Sequence, residues 1–290
     1  MARFILKNMK KAHIVIFLAF NLNLLQAQSL TNELYPLTQV YHQFGLSAVQ
    51  LIDPYLSILE YTGVGMRFEY SASRYLNPEI TDFSSYSRVS GLAALTVNPG
   101  STASISYMGG NAAWGIQYHY REIDNFVLLA GGNMDVDFAY KMNSRNVNNP
   151  VNIDLSTNLN AMLGARYVYP TRRRMLQFNA AIEFPIIGCM FVPFPGLSYY
   201  EMSQSNDFAE AIHFTSFHNK QGIKQNYSID VPFNRSTWSF GTRMQELKYI
   251  ADDQIYSLME YSLFVGITYD QIRFSGRRVK VPEFFISPRY

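Results

Sequence analysis

Met259-Glu260-Tyr261-Ser262-Leu263-Phe264-Val265-Gly266-Ile267-Thr268-Tyr269 alternates between two kinds of side chain. In an extended segment Met259, Tyr261, Leu263, Val265, Ile267 and Tyr269 share one face. Glu260, Ser262, Gly266 and Thr268 share the other, with Phe264 as the exception. A period of two marks a β-strand with one oily and one polar face. The run is also as long as a tilted membrane-crossing strand needs, roughly 9–11 residues. It predicts one wall strand of a barrel in lipid.

The same pattern recurs upstream. Val64, Met66, Phe68 and Tyr70 oppose Gly65, Arg67 and Glu69; Trp114, Ile116, Tyr118 and Tyr120 oppose Gly115, Gln117 and His119. Met134, Val136, Phe138 and Tyr140 oppose Asp135, Asp137 and Ala139, and Val151 to Tyr169 alternates for most of its length with Arg166 on its polar face. Leu176 to Phe184 places Glu183 on the polar face, Tyr227 to Phe233 follows the same rule, and Trp238 and Phe240 flank Ser239.

A soluble β-sandwich also alternates. Two features favour a membrane barrel. Charged residues sit mid-strand on the non-oily face (Arg67, Glu69, Asp135, Asp137, Arg166, Glu183 and Glu260), where a polar lumen would receive them; Arg243 is a further cation available to pair with them. Tyr and Phe, 21 of each, gather near strand ends, as in the aromatic girdles of outer-membrane barrels. The fold class expected is therefore all-β, a single antiparallel transmembrane barrel, and at ~20 residues per strand and connection it has about 10–12 strands.

The N-terminus supports export. Arg3, Lys7, Lys10 and Lys11 precede the apolar run Ile14–Phe20, and Ala27 offers a small residue for cleavage, so residues 1–27 read as a signal peptide and 28–290 as the barrel domain. Asn21 and Asn23 cut the apolar run short of the ~20 residues a retained helical anchor needs. Removing four basic residues from 24 Lys+Arg against 22 Asp+Glu leaves 20 against 22, a net charge of −2. A nucleic-acid partner gains no support from that balance. Cys189 is the single cysteine, so no internal disulfide holds the fold, and no cysteine–histidine spacing implies a metal or cofactor.

Turn chemistry appears at Asn98-Pro99-Gly100-Ser101, Gly109-Gly110-Asn111, Asn148-Asn149-Pro150 and Asn234-Arg235-Ser236, some of which also suit bulges inside longer strands. Tyr169-Pro170-Thr171-Arg172-Arg173-Arg174 reads as a basic turn, placed to meet lipid phosphates or, more simply, water, and Ser203–Glu210 reads as a longer loop. The chain ends on Tyr290, a terminal aromatic of the kind that cues outer-membrane assembly, with Pro282 and Pro288 disturbing the alternation around it.

One resemblance covers nearly the whole mature chain. It rests on Asp53-Pro54-Tyr55-Leu56-Ser57 with Tyr61-Thr62-Gly63, on Leu128–Gly132, on Asn143-Ser144-Arg145-Asn146, on Gly188-Cys189-Met190-Phe191 leading to Ser198-Tyr199-Tyr200-Glu201, and on Phe214–Asn219. In this order they resemble a Bacteroidetes family of exported β-barrels known only as domain of unknown function 3316. The resemblance implies an outer-membrane barrel and carries no site residues across.

Candidate chemistry is sparse. Ser216 and His218 fall two apart on one strand face, with His213 and Asn219 nearby; the grouping resembles, in reversed order, that of outer-membrane phospholipases. Asn219 faces away on a regular strand, and the plainer reading is polar residues at a strand end. Asp135 and Asp137 form a same-face carboxylate pair suited to a cation, to acid–base work or, more simply, to pairing with Arg67, Arg166 or Arg243 across the lumen. Asn143 to Asn160 is rich in amides, suited to a ligand loop or to turns and a polar strand face. Phe184 to Leu197 mixes Pro185, Cys189, Phe191 and Pro193 with apolar groups, an irregular segment that must pack against protein and that suits a plug or a greasy ligand.

The expectation is a non-enzymatic outer-membrane barrel acting as a narrow pore, a small-ligand carrier or a structural envelope component. Its partners would be outer-membrane lipid, the barrel-assembly machinery and a possible envelope protein. The alternatives are a membrane-embedded lipid hydrolase and a barrel subunit of a larger cell-surface assembly.

Overall fold

In a computed structural model the described residues are 35–288 apart from 148, 173, 195, 206, 234–235, 252–253 and 273–284. The signal segment 1–27 and Asn148, Arg173, Pro195, Asn234, Arg235, Pro282 and Tyr290 lie outside them. Long strands carry the fold: β2 Thr38–Asp53, β3 Ser57–Tyr75, β4 Phe83–Val97, β5 Ser104–Ile123, β6 Phe126–Asn143, β7 Val151–Pro170 and β8 Met175–Phe191. After a capping segment come the short β9 Ile212–Ser216, then β10 Lys220–Pro232, β11 Thr237–Ala251 and β12 Gln254–Gln271.

Each of these strands pairs antiparallel with its neighbours, and β12 returns to β2 from Ser257↔Ile52 to Gln271↔Thr38. With β8 also paired to β10, ten strands close into a barrel, and β9 extends the β10 stave. Closure excludes the sandwich, which leaves two sheets with edges. Among the described residues no helix is long and apolar enough to cross a membrane.

The two faces are inverted relative to a soluble protein. Along β12 Glu260 is 1% exposed while Leu263 is 69% exposed. Phe264, the exception in the alternation, points inward and is buried because Gly241 on the paired strand leaves room for its ring. A Cβ on Gly241 would lie 2.6 Å from Phe264 Cζ and 2.1 Å from the Tyr227 carbonyl oxygen. Outward positions are apolar through the middle of the strands, and the charged ones among them (Glu60, Arg74, Glu122, Glu246 and Lys248) fall toward strand ends. Tyr269, Tyr70 and Phe68 gather round His42, whose Nε2 is 3.1 Å from the Tyr269 hydroxyl, forming part of an aromatic girdle.

Both described termini lie at the end where β2 begins and β12 finishes, the terminus end. There β1 Tyr35–Pro36 pairs in parallel with β13 Phe285–Ile286. Ser287 donates to Asp270 at 2.7 Å, and the Pro288 carbonyl accepts from Arg166 Nη1 at 2.7 Å. The C-terminal segment thus crosses that mouth from β12 to β7. The opposite, cap end is covered by the described residues of 192–211, with helix α1 Tyr199–Ser205 and a 3-10 turn at Asp207–Ala209. This helix and turn stand where a loop at Ser203–Glu210 was expected.

Three other expectations change. Gly109-Gly110-Asn111 lies inside β5, because glycine next to a tyrosine makes room in a strand as readily as it makes a turn: a Cβ on Gly109 would meet the Tyr107 ring at 2.7 Å. Phe184–Phe191 is strand rather than irregular chain. Its register slips at Pro185, where the β8 partner changes from β10 (Glu183↔Lys224) to β9 (Ile187↔Ser216). Proline has no N–H to give a ladder, so it sits where no partner would receive one. His218 falls in the turn between β9 and β10, not on a strand.

Gly241→Ala should lower the unfolding free energy by about 1–3 kcal/mol through overpacking. Urea unfolding from lipid vesicles measures this, and an unchanged midpoint would mean that Phe264 does not depend on that space.

Candidate functional site

The alternation that builds the wall delivers a set of charges to the lumen. Arg67 Nε lies 3.1 Å from Glu260 Oε1, and its guanidinium donates to Gln245 Oε1 at 3.2 Å. Ser47 and Ser262 donate to the same Glu260 oxygen at 2.9 and 2.7 Å. Arg243 Nη1 donates to Glu69 Oε2 at 2.9 Å. Arg88 grips Glu183 with two hydrogen bonds, at 3.1 and 2.9 Å, the bidentate geometry that makes arginine–carboxylate pairs strong.

Lys224 is the hub of the set. Its Nζ lies 2.8 Å from Asp135, 3.5 Å from Glu183 and 3.8 Å from Asp137. The amides of Asn111 and Asn158 donate to both aspartates, from 2.8 to 3.1 Å. Asp135 and Asp137 are therefore neutralised from within. Their expected partners Arg67, Arg166 and Arg243 instead meet Glu260, the Pro288 carbonyl and Glu69. The correction follows from reach: Lys224 faces Glu183 across one ladder, and its long stem carries the charge on to the aspartates of β6. Among the described residues no cluster of acidic, histidine or cysteine side chains is arranged to hold a metal.

Toward the cap end the lumen turns apolar. Val49, Leu51, Tyr61, Ile105, Tyr249 and Leu258 form a buried cluster inside the barrel. Within it Lys141, with no exposed surface, is paired to Asp53 and lies 2.7 Å from Asp154 and 4.3 Å from the centre of the Tyr256 ring. Asn152 donates to Asp53 at 2.8 Å, while Asn143 and Asn146 hold the Leu56 carbonyl. Asn143, Asn146, Asn152, Asn158 and Asn160 thus tie loop and lumen together through their side-chain amides. Small cavities remain in this region. One of about 50 Å³ is bordered by Tyr107, Asp137, Asp154, Lys220 and Tyr256, and one of about 20 Å³ by Asn158, Glu183, Pro185 and Lys224. Each is on the scale of one or a few waters.

The cap is held by tyrosines. Tyr199 Oη donates to Asn152 Oδ1 at 3.0 Å and accepts from the Ile153 amide at 2.8 Å, while Tyr55 donates to the Leu197 carbonyl at 2.9 Å. Ser198-Tyr199-Tyr200-Glu201 forms a capping box, in which Ser198 and Glu201 exchange hydrogen bonds from 2.8 to 3.3 Å. Those bonds from the Ser198 amide and hydroxyl hold the exposed Glu201 carboxyl below its usual range. Burial, aided by Asp53, pushes the Tyr55 phenol up to about 12, and burial raises Tyr199 as well.

The other expected site residues do not converge. Ser216 Oγ is 2.6 Å from His218 Nδ1, but Asn219 turns back to the chain: it accepts from the Ser216 amide at 3.0 Å and donates to the Phe214 carbonyl at 2.8 Å. Asn219 therefore does not orient His218 in the way a triad requires. His213 lies on β9, the strand that Ser216 ends. Pro185 lies in the wall, Cys189 is exposed on the outer face, Phe191 stacks on Tyr199 and Phe208 (centroids 6.4 and 6.1 Å apart), and Pro193 is buried at the base of the cap. These four form no single ligand pocket.

The profile of the family described as "Protein of unknown function (DUF3316)" matches residues 13–278, and the chain belongs to that family. No curated protein matches the sequence. Among solved structures, the outer membrane protease OmpT from Escherichia coli is similar at 7% identity, over 85% of this chain and 99% of that one, with a TM-score of 0.40. The translocator domain of the autotransporter NalP from Neisseria meningitidis is similar at 8% identity, over 92% and 98%, with a TM-score of 0.37. Neisserial surface protein A is similar at 8% identity, over 79% and 96%, with a TM-score of 0.35. Likeness at this level carries no activity to the present chain.

Two outcomes are expected. Glu183→Gln should cost about 3–5 kcal/mol by stranding a buried Arg88, and Arg88→Met should cost less, because Lys224 still faces Glu183. Equal losses in urea unfolding would remove the hub from the account. Both cap phenols ionise less readily folded than unfolded, so their contribution is complete below pH ~10 and is lost as pH rises toward 12. Melting temperatures between pH 10 and 12 should fall more steeply in the wild type than in Tyr55→Phe.

Proposed function

We propose that the protein is an outer-membrane barrel sealed by its own side chains, a structural or partner-binding element of a Gram-negative envelope and not an open pore. The observation that carries this reading is the filled lumen. Arg67, Arg88, Lys224 and Arg243 span it in ion pairs with Glu260, Glu183, Asp135 and Glu69, and the segments 192–211 and 285–288 lie over the two mouths. Membrane location is supported by the closed ladder, the apolar outer face and the aromatic girdle. Export through cleavage after residue 27 and insertion by the barrel-assembly machinery belong to the same reading, as does the Bacteroidetes origin that the sequence resemblance implies. In planar bilayers the purified barrel should give no stable conductance steps at neutral pH. Ohmic steps carried by the full chain would make it a pore.

The second reading, a lipid hydrolase, is favoured by one observation, the short Ser216–His218 hydrogen bond. Phospholipid incubated with the folded barrel should release no fatty acid. Release that disappears in Ser216→Ala would assign the hydrolase and overturn the non-enzymatic reading.

A further inference from the structure

An open groove of about 480 Å³ is cut into the outer wall near the terminus end of β7, β8, β10 and β11. Cross-strand register explains the hollow. Ala165 and Ala180 are paired directly and leave two short side chains where neighbouring rows carry long ones: Tyr167 beside Phe178 on the side nearer the terminus end, Leu163 beside Ile182 on the other. Tyr227 and Phe240 rise from β10 and β11 as the far wall. The volume is in the range of ligand pockets, ~300–1,000 Å³, and its apolar lining suits a hydrocarbon chain.

A second observation sits at the end of the same groove. The turn after β7 carries Arg172 and Arg174, both exposed, about four residues beyond Tyr167 and before Phe178, or roughly 13 Å along the strands. Arg174 lies 4.3 Å above the centre of the Phe233 ring, which fixes its guanidinium over the connection that follows β10, so that both hairpins bordering the groove meet at one positive charge. The row Phe126, Tyr167, Phe178 and Phe240 belongs to the girdle at this end, the level at which lipid headgroups begin.

We infer that this groove and turn form a binding site for one anionic phospholipid, with an acyl chain laid over Ala165 and Ala180 and the phosphate held by Arg172 and Arg174. The inference rests on the membrane reading above. The chemistry is charge complementarity at the headgroup and shape at the chain. An arginine near a membrane surface favours an anionic lipid by about fivefold, and a hollow between aromatic side chains holds a methylene chain against exchange with bulk lipid.

The test uses the full barrel, reconstituted into vesicles of equimolar phosphatidylglycerol and phosphatidylcholine, extracted in mild detergent and weighed by native mass spectrometry. One phosphatidylglycerol should stay bound, preferred over phosphatidylcholine by at least about fivefold. Arg172→Gln with Arg174→Gln should bring the two lipids to parity, and Ala180→Trp should reduce retention of both by filling the groove. Heat-modifiable migration on gels verifies that each variant has kept its barrel. Equal retention of both lipids by an inserted wild type, or undiminished retention by folded Ala180→Trp, overturns the site and leaves the membrane reading standing. A wild type that never enters vesicles overturns the membrane reading, and the site with it.

Discussion

The seam between β12 and β2, from Ser257↔Ile52 to Gln271↔Thr38, is the bond on which the rest of the molecule depends. In lipid there is no water to satisfy a backbone amide or carbonyl, and each orphan costs several kcal/mol, so an open sheet edge is untenable. Closing β12 on β2 removes both edges at once. The tolerated gap in the ladder is local, at Pro185 on β8, where the wall changes partner from β10 to β9 and where the residue has no N–H to leave unmet. A single cysteine on the outer face contributes nothing to this closure, so the fold is held by the ladder and by what fills it.

What fills it follows from the same geometry. Every strand of a closed wall must send alternate side chains inward, and a ten-stranded ring is narrow enough for those side chains to reach across it. Charges placed there are tolerable only when paired and hydrogen-bonded. Arg88 with Glu183, Arg243 with Glu69, and Lys224 among Asp135, Asp137 and Glu183 meet that condition. The cap end solves the problem differently, with an apolar cluster of Leu51, Ile105, Tyr256 and Leu258 around the buried Lys141. The lumen is thereby occupied by paired charges in its middle and by apolar side chains toward the cap.

Much of this was legible in the sequence wherever the two faces differ in polarity. Met259–Tyr269 read correctly because Glu260 and Ser262 are inward and polar. The pattern fades before Met259 because the inward residues there, Tyr256 and Leu258, belong to the apolar cluster, so both faces look alike. The same effect hides β2, where Val49 and Leu51 face inward. β4 is hidden for the opposite reason, because its outward positions include Ser85, Ser87 and Gly91. Arg88 lies on β4 and is hidden with it, and Lys224 precedes Tyr227, where the alternation of β10 first becomes plain. The ion pairs themselves join residues as distant as Glu69 and Arg243, and no local pattern records which strand faces which across a lumen. The cap was likewise concealed, although Ser198-Tyr199-Tyr200-Glu201 carries a legible capping box.

The central claim is that apolar side chains face lipid and charged ones face a closed interior. Nitroxide labels placed one at a time from position 259 to 267, in a Cys189→Ser background, test it residue by residue in vesicles. Labels at 261, 263, 265 and 267 should be open to oxygen dissolved in the bilayer and closed to a water-soluble relaxation agent, while those at 260, 262 and 264 should be immobile and shielded from both. Accessibility without a period of two, or a water-soluble agent reaching the odd-numbered positions, would contradict the account.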